Sequence, residues 1–456
     1  MGEHTTGDRR PSERAAGLAL AGLLVAGMLI RPQPSPAGAP PANDPGTPFA
    51  AATGVKDPVT GIRVPKGFQA TVFADKLGRT RHIVLRADGT VYASLARPVK
   101  GGGIVALKDT DGDGKADVIR YFGAVAGTGI AIHDGHLYFG EDRRIVRAPL
   151  AAGRIDPVGP FETMVSGFPD QGQHATKPMA FDDAGNMYVT VGAPSNACQE
   201  RMRTAGSPGM RPCPQLALQA GIWRFAADRP GQVHGRDGTR YATGIRNALA
   251  IAWNRTAGAL YFVTHGRDQL YSLWPQFYTP EKSAALPAEE FHRVHAGGDY
   301  GWPYTYWDQI RDQRMRAPEY GGDGKTPADN DRYEKPLYGF PGHWAPMALV
   351  FYEHDAFPAF FRHGAFVVFH GSWNRAPLPQ EGYLVAFVPM DEKGAITGRP
   401  IVFADGFKGR EPLHSPRRAA FRPSGIAVGP DGALYVCEDK TGRIWRITYG
   451  GGSEGS

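Results

Sequence analysis

Residues able to do acid–base and charge chemistry recur in this sequence at the ends of short apolar runs. Arg246-Asn247 stands just before ALAIAW, and His265-Gly-Arg-Asp268 just after ALYFVT, the two runs being joined by the turn-forming NRTAG. His174, in Gln173-His-Ala-Thr-Lys177, lies ahead of Met187-Tyr-Val-Thr-Val; His370-Gly-Ser-Trp-Asn-Arg375 and Phe421-Arg422-Pro-Ser424 also abut apolar runs. A neutral imidazole that titrates near neutrality is the commonest general base. Arg246, Arg375 and Arg422, if brought together, make a pocket for an anionic planar ligand, because a guanidinium fork grips two oxygens at once. A separate stretch, Lys108-Asp-Thr-Asp-Gly-Asp-Gly-Lys-Ala-Asp117, sets carboxylates at Asp109, Asp111, Asp113 and Asp117 around two glycines, the way a short loop wraps oxygen donors around Ca²⁺. Its twelfth position is Arg120 rather than a bidentate Glu. The expectation is a structural calcium loop and not an EF-hand, with a solvated Asp/Gly turn as the alternative.

These groups need a scaffold that gathers strand ends. The apolar runs are rich in β-branched and aromatic residues, which suit half-buried strands. An antiparallel pair returns the chain to its starting edge, so Arg246-Asn247 and His265–Asp268 are expected at one rim. A turn with Asp-Gly or a relative, followed by a strand usually centred on Tyr or Phe, occurs six times, with glycines at 89, 135, 185, 258, 364 and 432. The shorter steps match the ~40–50 residues of a four-stranded propeller blade; the longer ones require insertions, at about 194–218 and 274–341. The expected fold class is all-β: a six-bladed β-propeller with two loop insertions, in which equivalent loops of successive blades converge on one axis. A pair of β-sandwiches is the alternative. No dinucleotide fingerprint or phosphate loop is present.

Composition narrows the functional classes. The 456 residues carry 51 Lys+Arg against 45 Asp+Glu, spread without a basic run, so no nucleic-acid partner is expected. Residues 1–31, with Arg9-Arg10 and an unbroken small or apolar run from Ala15 to Ile30, read as a signal peptide or N-terminal anchor, and 32–50 as a Pro/Ala-rich linker. The propeller is expected over 51–449 and a flexible tail over 450–456. The working compartment is then periplasmic or extracellular, with a membrane tether through the N-terminal segment as one option. There Cys198 and Cys213 can form a disulfide across the first insertion, while Cys437, inside a strand, reads as a buried thiol.

Taken together, His174 with its following strand, Gly244-Ile-Arg-Asn247, Thr264-His-Gly266, Gly297-Gly-Asp-Tyr-Gly-Trp-Pro303, His370-Gly-Ser-Trp-Asn-Arg375 and the Arg422-Pro-Ser-Gly strand start resemble the soluble pyrroloquinoline-quinone-dependent glucose/sorbosone dehydrogenases, in particular the sorbosone dehydrogenase-like branch. The likeness runs from about Pro65 to Tyr449. It implies a six-bladed propeller that oxidises a sugar or sugar-derived aldehyde by hydride transfer to pyrroloquinoline quinone. His174 would be the general base. Arg246 would stabilise charge on the quinone oxygens, with Asn247 at the same cofactor edge. Backbone carbonyls of Gly266 and Arg267 would help hold a Ca²⁺. Tyr338 and His343 match positions that contact cofactor or substrate, and Arg375 and Arg422 would pair with cofactor carboxylates.

Three positions depart from that family. The Asp that orients the base in glucose-oxidising members is Ala193 here, the Arg two residues after the Arg422 position is Ser424, and the family Lys aligns with Ser372 or Arg375. The reading carried forward is an exported quinoprotein sugar dehydrogenase that passes electrons to a separate, unidentified acceptor. The alternative is a non-catalytic propeller binding glycan or protein through the same rim. A propeller lactonase, which needs Asp or Glu at axis-facing strand starts, fits the His, Arg and Asn found there less well.

Overall fold

The computed structural model describes residues 56–450 apart from Asn330, together with Ala52 and Gly54. The expected signal or anchor, the linker and the tail beyond Gly450 lie outside the described residues. Among these, six antiparallel sheets of four principal strands follow one another along the chain. Blade 1 is built from Thr80–Leu85, Val91–Val99, Gly102–Lys108 and Val118–Phe122; blade 2 from Gly129–His133, His136–Gly140, Ile145–Pro149 and Glu162–Ser166; blade 3 from Met179–Phe181, Asn186–Val191, Gly221–Ala226 and Thr239–Thr243. Blade 4 comprises Ala250–Asn254, Ala259–Thr264, Glu289–Arg293 and Tyr338–Phe340; blade 5, Pro346–Phe351, Ala365–His370, Tyr383–Val388 and Ile401–Ala404. Blade 6 joins Pro423–Val428, Leu434–Glu438 and Ile444–Tyr449 to a strand from the other end of the chain, Phe68–Ala74, which pairs antiparallel with Ile444–Tyr449. The first strands of neighbouring blades pack on one another, and that of blade 6 packs on that of blade 1, closing a ring.

The six repeats read from the sequence are the hairpins between first and second strands. At Gly89, Gly135, Gly185, Gly258 and Gly432 the turn takes φ between 57° and 81°, a conformation glycine enters without a Cβ penalty. The strand that follows is buried on both faces, because each blade is sandwiched between two others. Leu260 and Phe262 pack toward blade 3 and Tyr261 and Val263 toward blade 5. One apolar cluster fills each of the six interfaces between blades. The recurring tyrosine also supplies a link. Tyr92 donates to the Ile155 carbonyl at 2.9 Å, Tyr138 to Ala227 at 2.8 Å and Tyr261 to Gly394 at 3.2 Å, each on the next blade. A hydroxyl that reaches a neighbouring backbone while its ring stays in the core adds about 1 kcal/mol and sets the blade spacing.

The insertions differ in part from expectation. The first is closed by a Cys198–Cys213 disulfide, and Cys437 is a buried free thiol. The second does not run unbroken from 274 to 341: Glu289–Arg293 inside it is the third strand of blade 4. That segment, Glu-Glu-Phe-His-Arg, looks unlike a core strand, yet Glu290 is buried against Arg314 Nη2 at 2.8 Å and His292 at 3.0 Å. The remaining chain forms two excursions, 265–288 with two short helices and 294–337 with the hairpin Thr305–Asp308/Gln313–Arg316. Both pack on the disulfide loop, the first through the Asp268 N–H donated to Asn196 Oδ1 at 2.9 Å and the second through the Trp302 indole N–H donated to the Asn196 carbonyl at 3.0 Å. A buried Arg267–Glu319 ion pair joins the two excursions to each other. No helix among the described residues is long and apolar enough to cross a membrane.

Candidate functional site

In blade 4 the rim expected from the two apolar runs is present: the His265 N–H donates to the Asn247 carbonyl at 2.8 Å. Beside it lies a buried knot of charge. Arg246, 4% exposed, donates from Nε to the Asn196 carbonyl at 3.2 Å, from Nη1 to the Gly266 carbonyl at 3.0 Å, and from Nη2 to Asn196 Oδ1 and Asp268 Oδ2, both at 3.0 Å. Asp268 also accepts from Arg203 Nη2 at 3.3 Å and Asn374 Nδ2 at 2.8 Å. One carboxylate therefore ties blade 4 to the disulfide loop and to blade 5. Burial pushes that carboxyl up, but Arg246, His343 and Arg203 outweigh it and hold it at about 2. Asp268 was not among the residues expected to act. Its signal was an acid set among arginines at a strand end.

His174 precedes blade 3 in a left-handed backbone conformation, φ 53°. Its Nδ1 faces the Ala193 carbonyl at 2.6 Å. A carbonyl only accepts, so Nδ1 carries the proton and Nε2 keeps its lone pair, with no protein partner among the described residues. The Ala193 N–H donates to the Arg246 carbonyl at 2.7 Å, fastening base and cation to one backbone. The main-chain oxygen of Ala193 thus orients this ring where the resemblance has an Asp side chain. The buried Lys177 amine donates to the Ala175 carbonyl and braces the same loop. Burial, and after it the Arg246 charge, push the His174 imidazole down to about 3.

The other expected residues divide. Asn247 Nδ2 points at His265 Nδ1, 3.4 Å away, and His343 donates from Nε2 to the Ser283 carbonyl at 2.8 Å. Arg375 donates from Nε to Pro379 and from Nη1 to Gly342 carbonyls, at 3.2 and 3.1 Å. Arg422 donates from Nε to His370 and from Nη2 to Gly371 carbonyls, at 3.2 and 2.6 Å. Each of these two arginines keeps one terminal nitrogen without an acceptor among the described residues. The charges form a chain of neighbours: His174 feels Arg246 and Asp268, His343 feels Asp268 and Arg375, His265 feels Arg246, Asp268 and His370, and His370 feels Asp439 and Arg422. Tyr338 does not join them: it lies on the outermost strand of blade 4, its ring 4.8 Å from Phe340, and an outermost strand faces the perimeter. Ser424 is turned into the seam between blades 6 and 1, donating to the Thr80 carbonyl at 2.8 Å, so no cation stands there.

The two expected metal positions fare differently. The Gly266 carbonyl already accepts from a guanidinium, and the Arg267 side chain is buried against Glu319. A dication at the Gly266 carbonyl would sit against a fixed positive charge, so Gly266 does not fit one. On blade 1, oxygens of Asp109, Asp111 and Asp117 gather within 4.8 Å of one another. Asp113 stays apart from that group, accepting from the Lys115 N–H at 2.8 Å.

Burial, first among the causes, drives four imidazoles near the axis far down: His82, His265 and His370 to about 4 and His174 to about 3. In the unfolded chain they would titrate near 6.5. Between pH 6.5 and about 4 the unfolded state binds four protons that the native state refuses, so stability falls as pH falls. Glu289 opposes this, because burial raises its carboxyl to about 8 and the native state keeps its proton. The net of about three protons is worth ~4 kcal/mol per pH unit. Thermal unfolding at pH 5 is expected about 5–7 °C below that at pH 6.5; a flat profile would show these rings accept protons in place.

The model of the family described as TrAA12-like matches residues 62–450, nearly all of the described chain. The chain belongs to the TrAA12-like family. Two solved structures share the fold of this TrAA12-like chain. The holo pyranose dehydrogenase PQQ domain of Coprinopsis cinerea is 20% identical with a TM-score of 0.67, and a calcium structure of a Trichoderma reesei carbohydrate-active enzyme of family AA12 is 17% identical with a TM-score of 0.68. Each alignment covers 88% of this chain and 100% of the other. An uncharacterized protein of Borreliella burgdorferi is 26% identical over 208 residues, 46% of this chain and 48% of its own, so the TrAA12-like chain spans about half the length of this curated relative.

Proposed function

We propose that this protein is a quinoprotein dehydrogenase that oxidises a sugar or sugar-derived aldehyde, such as a sorbosone-type aldose, with pyrroloquinoline quinone as cofactor. The observation that carries the reading is His174, a neutral imidazole fixed through Nδ1 with its Nε2 lone pair free. Membership of the TrAA12-like family and likeness to a pyranose dehydrogenase PQQ domain support it. The residues present fit an anionic planar cofactor. Arg375 and Arg422 hold spare donors, and the buried Asn374 Oδ1 has no donor. At Gly192 a Cβ would come within 2.5 Å of the His174 Cβ, so the backbone must pass there bare. When bound, the quinone supplies the hydride acceptor. The protein's part is to hold the substrate hydroxyl at His174 Nε2, which takes its proton, and to keep positive charge from Arg246, Arg375 and Arg422 around the cofactor. Trp373, 57% exposed beside Asn374, offers a ring face to a sugar at the mouth. Export to the periplasm or outside the cell, with or without a tether through the N-terminal segment, and an external electron acceptor complete the proposal.

Reconstitution tests it. The chain from about Pro48 onward, given pyrroloquinoline quinone, is expected to reduce an artificial dye in the presence of sugars or sugar aldehydes. Absence of quinone binding would favour a propeller that binds glycan or protein through the same rim. Ca²⁺ is assigned a structural place in the Asp109–Asp117 loop. Adding it is expected to raise the unfolding temperature of the parent chain and not of Asp111→Asn; equal responses would remove calcium from the loop.

A further inference from the structure

Beyond the rim, the excursion 294–337 carries a second concave surface. A cavity of about 270 Å³ is lined by Arg211, Arg316, Arg332, Tyr304, Tyr333 and Asp329, among others. Three guanidinium groups thus face one carboxylate. Arg211 stacks on Tyr320 at 4.9 Å and Tyr304 at 5.6 Å and donates to the Tyr320 carbonyl at 3.0 Å. Arg332 lies 5.3 Å over the Tyr333 ring. Neither Arg316 nor Arg332 forms an ion pair among the described residues, and three acids of the excursion are already taken by other cations: Glu319 by Arg267, Asp308 by Arg311 and Asp312 by Lys335. Three guanidinium groups around one open volume outnumber the single lining carboxylate, Asp329, even with Asp299 near enough to Arg332 to feel its charge, and an anion placed among them offsets the excess.

We propose that this cavity binds the carboxylate of an acidic sugar unit, a uronate, on a saccharide chain. Planar guanidinium forks match a carboxylate, and the Tyr304 and Tyr333 rings present apolar faces beside them, suited to the C–H face of a sugar ring. Three cations within one pocket suit a single anionic unit; a nucleic-acid backbone needs a basic stripe. The choice of a saccharide rests on the sugar-oxidising reading above. Thr305 lines both this cavity and the small buried space beside Arg246, so a chain held here lies on the far wall of the turn that supports the site.

The test uses the full chain without added cofactor. Trigalacturonate, its fully methyl-esterified counterpart and sodium sulfate are each titrated calorimetrically at low and high salt, against the parent and Arg316→Ser/Arg332→Ser. Both changes are on exposed side chains, and the unfolding temperature of the double variant serves as the folding control. The expected result is binding of the acid form that weakens with salt, and on the order of tenfold or greater loss both on esterification and in the double variant. Equal binding of acid and ester, undiminished binding in the double variant, or sulfate binding as tightly as the sugar acid would each overturn the proposal. Because the readout needs no quinone, a failure of dye reduction and a failure here are separate results.

Discussion

His174→Ala is expected to lower the turnover rate of the quinone-loaded protein by ~10²–10⁴-fold while leaving cofactor uptake and unfolding temperature nearly unchanged. The ring contributes one protein hydrogen bond, to the Ala193 carbonyl, so the fold loses little. On the proposed mechanism the reaction loses the group that takes the hydroxyl proton. An imidazole held at about 3 is a weak base, and the cause of its weakness indicates what changes on loading. After burial, the Arg246 charge is the largest influence lowering it. A cofactor bearing carboxylates, set among Arg246, Arg375 and Arg422, offsets that field and stabilises the imidazolium. The His174 pKa should therefore rise on cofactor binding, toward the range where a base works at neutral pH. A proton NMR titration of the ring with and without quinone reads the shift directly. An unchanged pKa, or a His174→Ala protein that turns over at the parent rate, would remove His174 from the chemistry.

Asp268→Ala is expected to be the most destabilising single change at the site, by ~3–5 kcal/mol. The carboxylate is 9% exposed and satisfies Arg246, Arg203 and Asn374 at once. Removing it strands the Arg246 cation, which is 4% exposed. The destabilisation should be much smaller when Arg246 is removed as well, so Asp268→Ala/Arg246→Met is expected to be more stable than the sum of its single variants. Urea unfolding of the four proteins measures this. Additive losses would mean the two side chains do not depend on each other. Asp268 also raises the His174 pKa, so surviving activity in Asp268→Ala should shift toward a still weaker base.

The ring of blades was legible because the six first hairpins are local events: a glycine in a left-handed turn, then a strand carrying a Tyr or Phe that the interfaces bury. What escaped was decided at a distance. Glu289–Arg293 lies inside the stretch expected to be an insertion, and its buried acids are met from elsewhere in the chain: Glu290 by Arg314 of the second excursion and Glu289 by the Gly266 N–H. Tyr338 resembled a cofactor contact in a Tyr-Gly-Phe motif, yet its strand is the outermost of its blade. His174 and Arg246 were found at the rim as residues. That Arg246 would spend its donors on Asn196, Gly266 and Asp268, and that a backbone oxygen at Ala193 would orient the imidazole, depends on the path of the disulfide loop and the next blade. No window of sequence contains those paths.

The closing strand carries a consequence for the order of events in synthesis. Phe68–Ala74 leaves the ribosome before all six innermost strands, and its partner Ile444–Tyr449 leaves after every other described strand. Until then the first strand has no sheet to join. The same late stretch brings Arg422, and with it Asp439, whose carboxylate accepts from His370 at 2.9 Å. A growing chain can hold five finished blades and still lack both a closed ring and a complete cationic rim. Ring closure and the full set of rim arginines therefore arrive together, and a chain cut before its sixth blade lacks both.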